Sequence, residues 1–436
     1  MLKKIKLSFW QIVNMNVGFF GIQYSFGLQQ SAVNPIYDFL GASPDQIPIL
    51  NLAGPVTGLL VQPLVGALSD KTWHPRFGRR KPYFFIGALI CSVSLFAFPF
   101  SSSLWMAAGL LWILDAGNNM AMEPYRAFVV DTLKPTQQPL GFQMQSFFTG
   151  LGQTLANVSL FLFPMVILGK TGHLPTWVFA SFFLGAVCSI GSVLWSIRTT
   201  KEIPPSEEEI EIIRTSKKGI TAPLIEIFSA IKSMPKVMWQ LALVYLFQWY
   251  ALFCYWQNSS KSIALSIWGA TPKSNPDAYE KAVSWTGLVN GWYNVVTFLV
   301  AFLLVGYAKK FGAKKVHFVC LLLAGIGFAA FPHITDKNLL FVAITGFGIG
   351  WASMMGIPYL LVVSSIPKER YGVYMGIINM MIVIPMLFQN LSFGYILKNF
   401  LNNDPRNAIS FAAVLLLFGA LATLFIKSKE TKINLN

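Results

Sequence analysis

Charge, thiols and imidazoles are all scarce in this chain. Only 12% of its 436 residues are charged, and 18 Asp and Glu stand against 33 Lys and Arg. The four cysteines, Cys91, Cys188, Cys254 and Cys320, fall in apolar runs without metal-ligand spacing, so they imply neither a disulfide framework nor a metal site. Of the four histidines, His74 and His317 read as loop residues on one side of a membrane, and His173 and His333 as helix-end residues on the other. None has a metal partner nearby in sequence. Neither a Gly-rich phosphate loop nor a nucleophile elbow is present, so no enzyme chemistry and no cofactor is expected.

What fills the chain is hydrophobicity, at 54% of residues and a mean hydropathy of +0.55. Spans of the ~20 residues needed to cross a bilayer recur along its whole length. Hydropathy predicts helices over 12–37, 48–69, 82–101, 104–131, 143–168, 176–198, 236–258, 283–308, 314–333, 338–365, 371–398 and 406–427. The fold class is therefore all-α and integral to a membrane, with twelve transmembrane helices. Lys3, Lys4 and Lys6 resemble the start of a signal peptide. The run behind them holds Gln11, Asn14 and Asn16 and lacks a small-residue cleavage site, so the first helix is expected to be retained.

The formal charge of +15 is topological. With the N-terminus placed in the cytoplasm, 26 of the 33 Lys and Arg fall on the inner side. That asymmetry puts both termini in the cytoplasm and implies membrane lipid, not nucleic acid, as the partner. The one long polar interior segment, 199–235, contains "KEIPPSEEEIEIIRTSKKG", read as a solvated linker. "PLIEIFSAIKSMP" follows, read as an amphipathic helix on the inner membrane surface. This linker separates a six-helix bundle over 1–198 from another over 236–436. "VGALSDKTWHPRFGRRKPYFF" in the first half is echoed by "VGYAKKFGAKKVHF" in the second. Each has a Gly, a Phe-Gly and a basic pair in the same place, the mark of a parallel repeat and of two pseudo-symmetric bundles.

One segment breaks the apolar pattern: "WILDAGNNMAMEPYRAFVVDTL", residues 112–133, carries Asp115, Glu123, Arg126 and Asp131. A charge in hydrocarbon costs ~2.5–3.5 kcal/mol even on lenient scales. Asp115 would lie ~17 Å along a helix entering at Leu104, near the middle of a ~30 Å core. Asn118, Asn119 and Met122 share its face at i+3, i+4 and i+7. Such a stripe must face a protein-lined cavity, where a carboxylate that prefers its neutral form can load and release a proton. Each proton moving down 100 mV supplies ~2.3 kcal/mol, enough for roughly 50-fold accumulation of a solute. The alternative is an Asp merely satisfied by neighbouring amides. Glu123 and Arg126, spaced i, i+3, can pair. With Asp70, Arg79, Arg80 and Asp131 they read as a cytoplasmic gate, Asp131 being open to a second reading as a snorkelling charge.

A binding site for a polar solute needs hydrogen-bonding groups, and aromatic faces where that solute carries an apolar side. The first helix offers Asn16, Gln23, Gln30 and Asn34 along one stripe, with Gln29 about a third of a turn from Gln23. "QWYALFCYWQN" in the seventh helix supplies Trp249 and Trp256, and "NGWYN" in the eighth supplies Asn290 and Trp292. For the tryptophans the alternative is packing or a membrane interface.

The loop Gly66–Asp70 with Arg76–Lys81 resembles the signature of the major facilitator superfamily. "ILNLAGPVTGLLVQPLVGALSD" followed by "RFGRRKP" is similar to the glycoside–pentoside–hexuronide:cation symporter group, in the branch of plant sucrose transporters with animal and bacterial relatives. "GIQYSFGLQQSAVNPIYDFLG" and "GIPYLLVVSSIP…MGIINMMIVIP" agree with it. The resemblance implies the major facilitator fold, matches Gln23, Gln29 and Asn379 to family residues, and aligns Asp115 with an Asp implicated in protonation and sugar binding. "PYRAFVVD" matches a family run, although plant relatives carry Gly where Glu123 stands. They also carry an acidic Asp-x-Asp where this chain has Trp256-Gln257-Asn258. The function expected is proton-coupled symport of a glycoside, a disaccharide such as sucrose or maltose, by a monomer in a cell membrane (a bacterial inner membrane). Another solute, sodium coupling, or a transporter-like sugar sensor are the alternatives.

Overall fold

The computed structural model describes residues 6–70, 72–134, 136–172, 174–204, 207, 210, 211, 229, 231–362 and 371–427. Twelve long helices run through these residues. The first half holds α1 (Phe9–Phe39), α3 (Ala53–Asp70), α4 (Lys81–Ala97), α5 (Leu104–Thr132), α6 (Gln138–Val166) and α7 (Thr176–Thr199). The second holds α8 (Lys236–Trp268), α9 (Pro276–Phe311), α10 (Ala313–Ala330), α11 (Leu340–Val362), α12 (Tyr371–Phe400) and α13 (Pro405–Leu424). A single helical turn, α2 (Ile47–Leu50), interrupts the α1–α3 connection, and a two-residue hairpin, Lys170–Thr171 with Leu174–Pro175, precedes α7. The hydropathy helices are all present, with shifted ends. The proposed surface helix over 223–235 lies largely outside the described residues.

The shifts have local causes. Ser8 and Gln11 form a reciprocal capping box that starts α1 three residues earlier than hydropathy places it. Hydropathy ends the seventh helix at Asn258, where the polar run Asn258–Ser262 begins. Every residue of that run is buried, so α8 continues to Trp268 and stops only at the left-handed Gly269, φ 57°. His317, read from sequence as a loop residue, is instead fully buried inside α10, with Nδ1 2.8 Å from Ser353 Oγ of α11. Among the described residues, nine of the helices hold stretches long and apolar enough to span a membrane, and α1, α5 and α9 fall short of that measure.

The chain forms two compact units, Met1–Leu40 with Ala53–Ile220, and Gly41–Leu52 with Thr221–Asn436. The segment Gly41–Leu52 thus groups with the second unit, a feature absent from the division at 198 and 236. Within the first unit α1 packs on α6 and α7, α4 on α5 and α7, and α3 on α5. The second unit repeats these pairings position for position: α8 on α12 and α13, α10 on α11 and α13, α9 on α11. The backbone repeats as well. Gly78 and Gly312, the glycines of the two Phe-Gly pairs, both adopt positive φ, at 82° and 88°.

Lipid supplies no hydrophobic force between helices, so close approach over small residues holds such pairs together. At the α10–α11 contact a Cβ built on Gly346 would lie 2.4 Å from the Leu323 carbonyl oxygen. At the matching α4–α5 contact one built on Gly87 would lie 2.6 Å from the Gly117 carbonyl oxygen. The core of the first unit centres on Tyr125 of α5, ringed by Met15, Phe19, Phe84, Phe128 and Val193. We expect Gly346→Ala to force α10 and α11 apart and lower stability by about 1–3 kcal/mol, the usual cost of overpacking. Gly191→Ala, with nothing within 4 Å of its new Cβ, should instead be neutral or slightly stabilising; thermal unfolding in detergent distinguishes the two.

Candidate functional site

The first unit brings its polar helix-interior residues together around Asp115. This side chain is 1% exposed. Gln29 Nε2 donates to its Oδ1 at 2.7 Å, while Oδ2 is buried without a hydrogen-bond partner. No cation pairs with it among the described residues. Beside Oδ2 lies Gly54 of α3, where an added Cβ would stand 3.7 Å away. Gly54 thus contributes no side chain to that oxygen.

Both asparagines belong to the same network. Asn119 Nδ2 donates to the Asp115 carbonyl at 2.9 Å and to Thr57 Oγ1 at 3.0 Å, and its Oδ1 accepts from Gln62 Nε2 at 2.6 Å. Asn118 Nδ2 donates to Ser25 Oγ at 3.1 Å and, at 3.5 Å, to Gln29 Oε1. Cys91 Sγ donates to Asn118 Oδ1 at 3.1 Å. The i+3, i+4 spacing read from the sequence therefore does gather these side chains on one face. Thr57, Gln62 and Ser25 were missed. The signal for the first two is visible in "AGPVTGLLVQP", where a Thr and a Gln interrupt an apolar run.

Gln23 and Gln29 do not share a site. Six residues of helix turn the side chain by ~240°, and Gln23 accepts from Gln153 Nε2 at 3.0 Å while its own amide meets Met122 Sδ at 3.8 Å. Gln30 is half-buried and stands outside the Asp115 network.

The charges at the other end of α5 separate into two pairs. Arg80 Nε meets Asp131 Oδ2 at 2.7 Å, and Arg80 Nη1 donates to Ser69 Oγ at 2.6 Å. Arg79 Nε reaches the Ser69 carbonyl at 3.3 Å. Asp131 is thus the partner of a 5% exposed arginine and not a free snorkelling charge. Glu123 and Arg126 approach only to 4.0 Å, with both side chains more than 40% exposed, so their attraction is weak. Asp70 ends α3, and its side chain lies outside the described set.

Glu202 is the residue sequence reasoning passed over. It sits in the linker read as solvated, yet its carboxylate accepts from the backbone N–H groups of Arg79, Arg80 and Lys81, the last two at 3.0 and 2.8 Å. These are the orphan donors at the start of α4, where negative charge is favoured by the helix dipole. Gly78 makes room for it: a Cβ there would lie 2.6 Å from Glu202 Cδ. The signal was weak, a lone acid three residues past α7.

In the second unit Trp249 and Trp256 are buried and flank Trp351, each ring centroid 5.6 Å from it. Asn290 Oδ1 accepts from Tyr255 Oη at 2.9 Å, and Asn379 is half-buried on α12. Trp292 is placed differently from these tryptophans. Two residues from the buried Asn290 it points ~200° away, is 42% exposed, and donates from Nε1 to Thr345 Oγ1 at 2.9 Å. It is a surface residue of its unit, apart from the other tryptophans.

The family model of the Major Facilitator Superfamily matches residues 15–388 and again 268–435. Among curated proteins the chain is similar to sucrose transport protein SUT5 of Oryza sativa subsp. indica, 23% identical over 472 residues covering 93% of this chain and 85% of that one. It is also similar to sucrose transport protein SUC4 of Arabidopsis thaliana, 25% identical over 425 residues covering 86% and 81%. Two solved structures share the fold. The nucleoside transporter NupG aligns at TM-score 0.68 and 14% identity, covering 95% of this chain and 100% of that one. A partially occluded inward-open structure of the xylose transporter XylE from E. coli aligns at 0.69 and 13%, covering 98% and 100%.

Removing the acceptor of three helix-end amides should cost about 0.5–2 kcal/mol, as loss of an N-cap does, so Glu202→Ala is expected to unfold at lower temperature in detergent. A double-mutant cycle on Arg80→Ala and Asp131→Ala should return a coupling of about 1 kcal/mol, between surface and buried values. A coupling of zero would mean that the pair carries no energy in this state.

Proposed function

The chain belongs to the major facilitator superfamily, and from that premise we propose that it is a proton-coupled symporter of a glycoside, most simply a disaccharide such as sucrose. The observation that carries the coupling is the state of Asp115. A carboxylate removed from water, with one oxygen unpartnered and no cation beside it among the described residues, can be neutralised by a proton, the smallest species able to do so. Protonated, it offers an O–H at Oδ2; deprotonated, it accepts there from a sugar hydroxyl. Gln29 holds the other oxygen in both states. Asn118 and Asn119 position the surrounding amides, and Gln23 is a more distant polar contact. The sucrose transport proteins to which the chain is similar support a glycoside as cargo.

In this reading Arg80 and Asp131, with Arg79, Asp70, Glu123 and Arg126, form a cytoplasmic gate that makes and breaks during alternating access. The charge asymmetry of the loops supports cytoplasmic termini. The setting is a cell membrane, a bacterial inner membrane, with the monomer as the working unit.

Proteoliposome uptake of labelled disaccharides under an imposed pH gradient tests the proposal. An outside-acid gradient should drive accumulation that a protonophore abolishes. Asp115→Asn, which keeps the shape and cannot lose a proton, should let sugar equilibrate without concentrating it. Accumulation driven by a sodium gradient and indifferent to pH, or a concentrating Asp115→Asn protein, would overturn the assignment.

A further inference from the structure

A cleft of about 360 Å³ opens within the second unit, between the Gly41–Leu52 segment and the C-terminal half of α12. Asp45 and Ile49 line one wall, and Leu391, Gly394, Tyr395 and Lys398 of α12 line the other. That volume lies within the ~300–1,000 Å³ range of small-ligand pockets. Three contacts set its width. Asn390 Nδ2 donates to the Asn51 carbonyl at 3.3 Å, and Asn403 Nδ2 donates to Asp45 Oδ1 at 3.4 Å. Gly394 lets the Asp45 carbonyl oxygen come within 2.3 Å of where a Cβ would stand.

The cleft carries one charge of each sign. Asp45 is half-buried and Lys398 exposed, and neither enters an ion pair among the described residues, with the other or with any third group. An acid and a base that share a cleft without meeting suit a ligand that is itself a zwitterion. An apolar stripe leads away from them. Ile384, Phe388, Leu391 and Tyr395 recur at i, i+4, i+7 and i+11 on one face of α12, and all four are exposed. At 1.5 Å per residue the stripe is ~17 Å long, about half of a ~30 Å hydrocarbon core. It lies in a stretch, Ile377–Phe400, apolar enough to span a membrane. Its length therefore matches one leaflet, with Tyr395 and Lys398 at the end where amphipathic side chains reach the headgroups.

We propose that this cleft binds a phospholipid whose zwitterionic headgroup carries a primary ammonium, as an ethanolamine headgroup does. The phosphate accepts from Lys398 Nζ, the ammonium donates to Asp45, and one acyl chain lies along the stripe from Tyr395 to Ile384. A choline headgroup has the positive charge but no N–H for the carboxylate, and an anionic glycerol headgroup brings a phosphate to Asp45 with no cation between them. The bound lipid bridges the Gly41–Leu52 segment and α12, so it stabilises the second unit whatever the transported solute.

The test is lipid retention by the delipidated full chain in detergent, read by native mass spectrometry. The probes are equimolar dioleoyl phosphatidylethanolamine, phosphatidylcholine and phosphatidylglycerol, with thermal unfolding measured on the same preparations. Wild type should retain the ethanolamine lipid about fivefold over the choline lipid, the order of one charged contact at a membrane surface, and unfold at higher temperature with it. Asp45→Asn keeps an oxygen for Asn403; it should lose that preference and hold the glycerol lipid more tightly than wild type does. Lys398→Gln should weaken retention of all three about fivefold. A purely structural role for either residue would lower the unfolding temperature without lipid and leave retention by the folded protein unchanged. Equal retention of the three lipids by wild type overturns the site, as does an unchanged preference in Asp45→Asn or unchanged retention in Lys398→Gln. If Asp45→Asn fails to fold, the exposed Lys398→Gln decides. Displacement of the ethanolamine lipid by equimolar soluble glycerophosphoethanolamine would assign the cleft to a free headgroup and overturn the lipid.

Discussion

A carboxylate held inside apolar helices, with no cation beside it among the described residues, is the constraint around which the first unit is arranged. Gln29 of α1 donates to the Asp115 carboxylate, and around that pair α1, α3 and α5 link further polar side chains to one another: Ser25, Thr57 and Gln62, Asn118 and Asn119. Those groups cost their helices hydropathy. Two of the three helices that fall short of a membrane-spanning apolar stretch, α1 and α5, are the ones carrying most of this network. Polar side chains stay in them because each finds its partner inside the unit. Within that network, Asp115 Oδ2 is the buried oxygen left without a partner among the described residues, and it is informative in a way that an exposed one would not be.

The two units repeat one packing scheme and furnish it differently. The principal helix pairings correspond, and so do the positive-φ glycines that precede α4 and α10. Two residues past Gly78, Arg80 meets a carboxylate at 2.7 Å. Two residues past Gly312, Lys314 reaches only a backbone carbonyl, Leu424, at 3.4 Å. The acid sits in one unit and the edge-to-face indoles in the other. Duplication explains the shared frame, and divergence of side chains on that frame explains why neither unit alone holds every chemical group.

The sequence made the helices legible because hydrophobic length is a local property, and it made Asp115 legible because a charge in such a run has few innocent explanations. The i+3 and i+4 asparagines followed from helix geometry alone. What it hid were relations between distant segments. Glu202 caps a helix 121 residues away from it in the chain, and nothing near Glu202 announces that. Trp351 acquires meaning only beside Trp249 and Trp256. Trp292 looked equivalent to them by type, and only its angle about α9 sets it apart. Polar runs misled in the opposite direction: Asn258–Ser262 reads as a loop because hydropathy cannot tell a solvated serine from one satisfied inside a bundle.

Gly41–Leu52 packs with the second unit although it lies in sequence between two helices of the first. Asn390 of α12 donates to the Asn51 carbonyl at 3.3 Å, and Gly394 lies so near the Asp45 carbonyl that a Cβ would stand 2.3 Å from it. The chain thus crosses between the units three times, at Leu40, at Leu52 and in the long linker. A gene severed within that linker would encode two fragments that do not match the two units. The C-terminal fragment would lack the turn against which its own α12 is built, and the N-terminal one would carry that turn with nothing of its own unit to hold it.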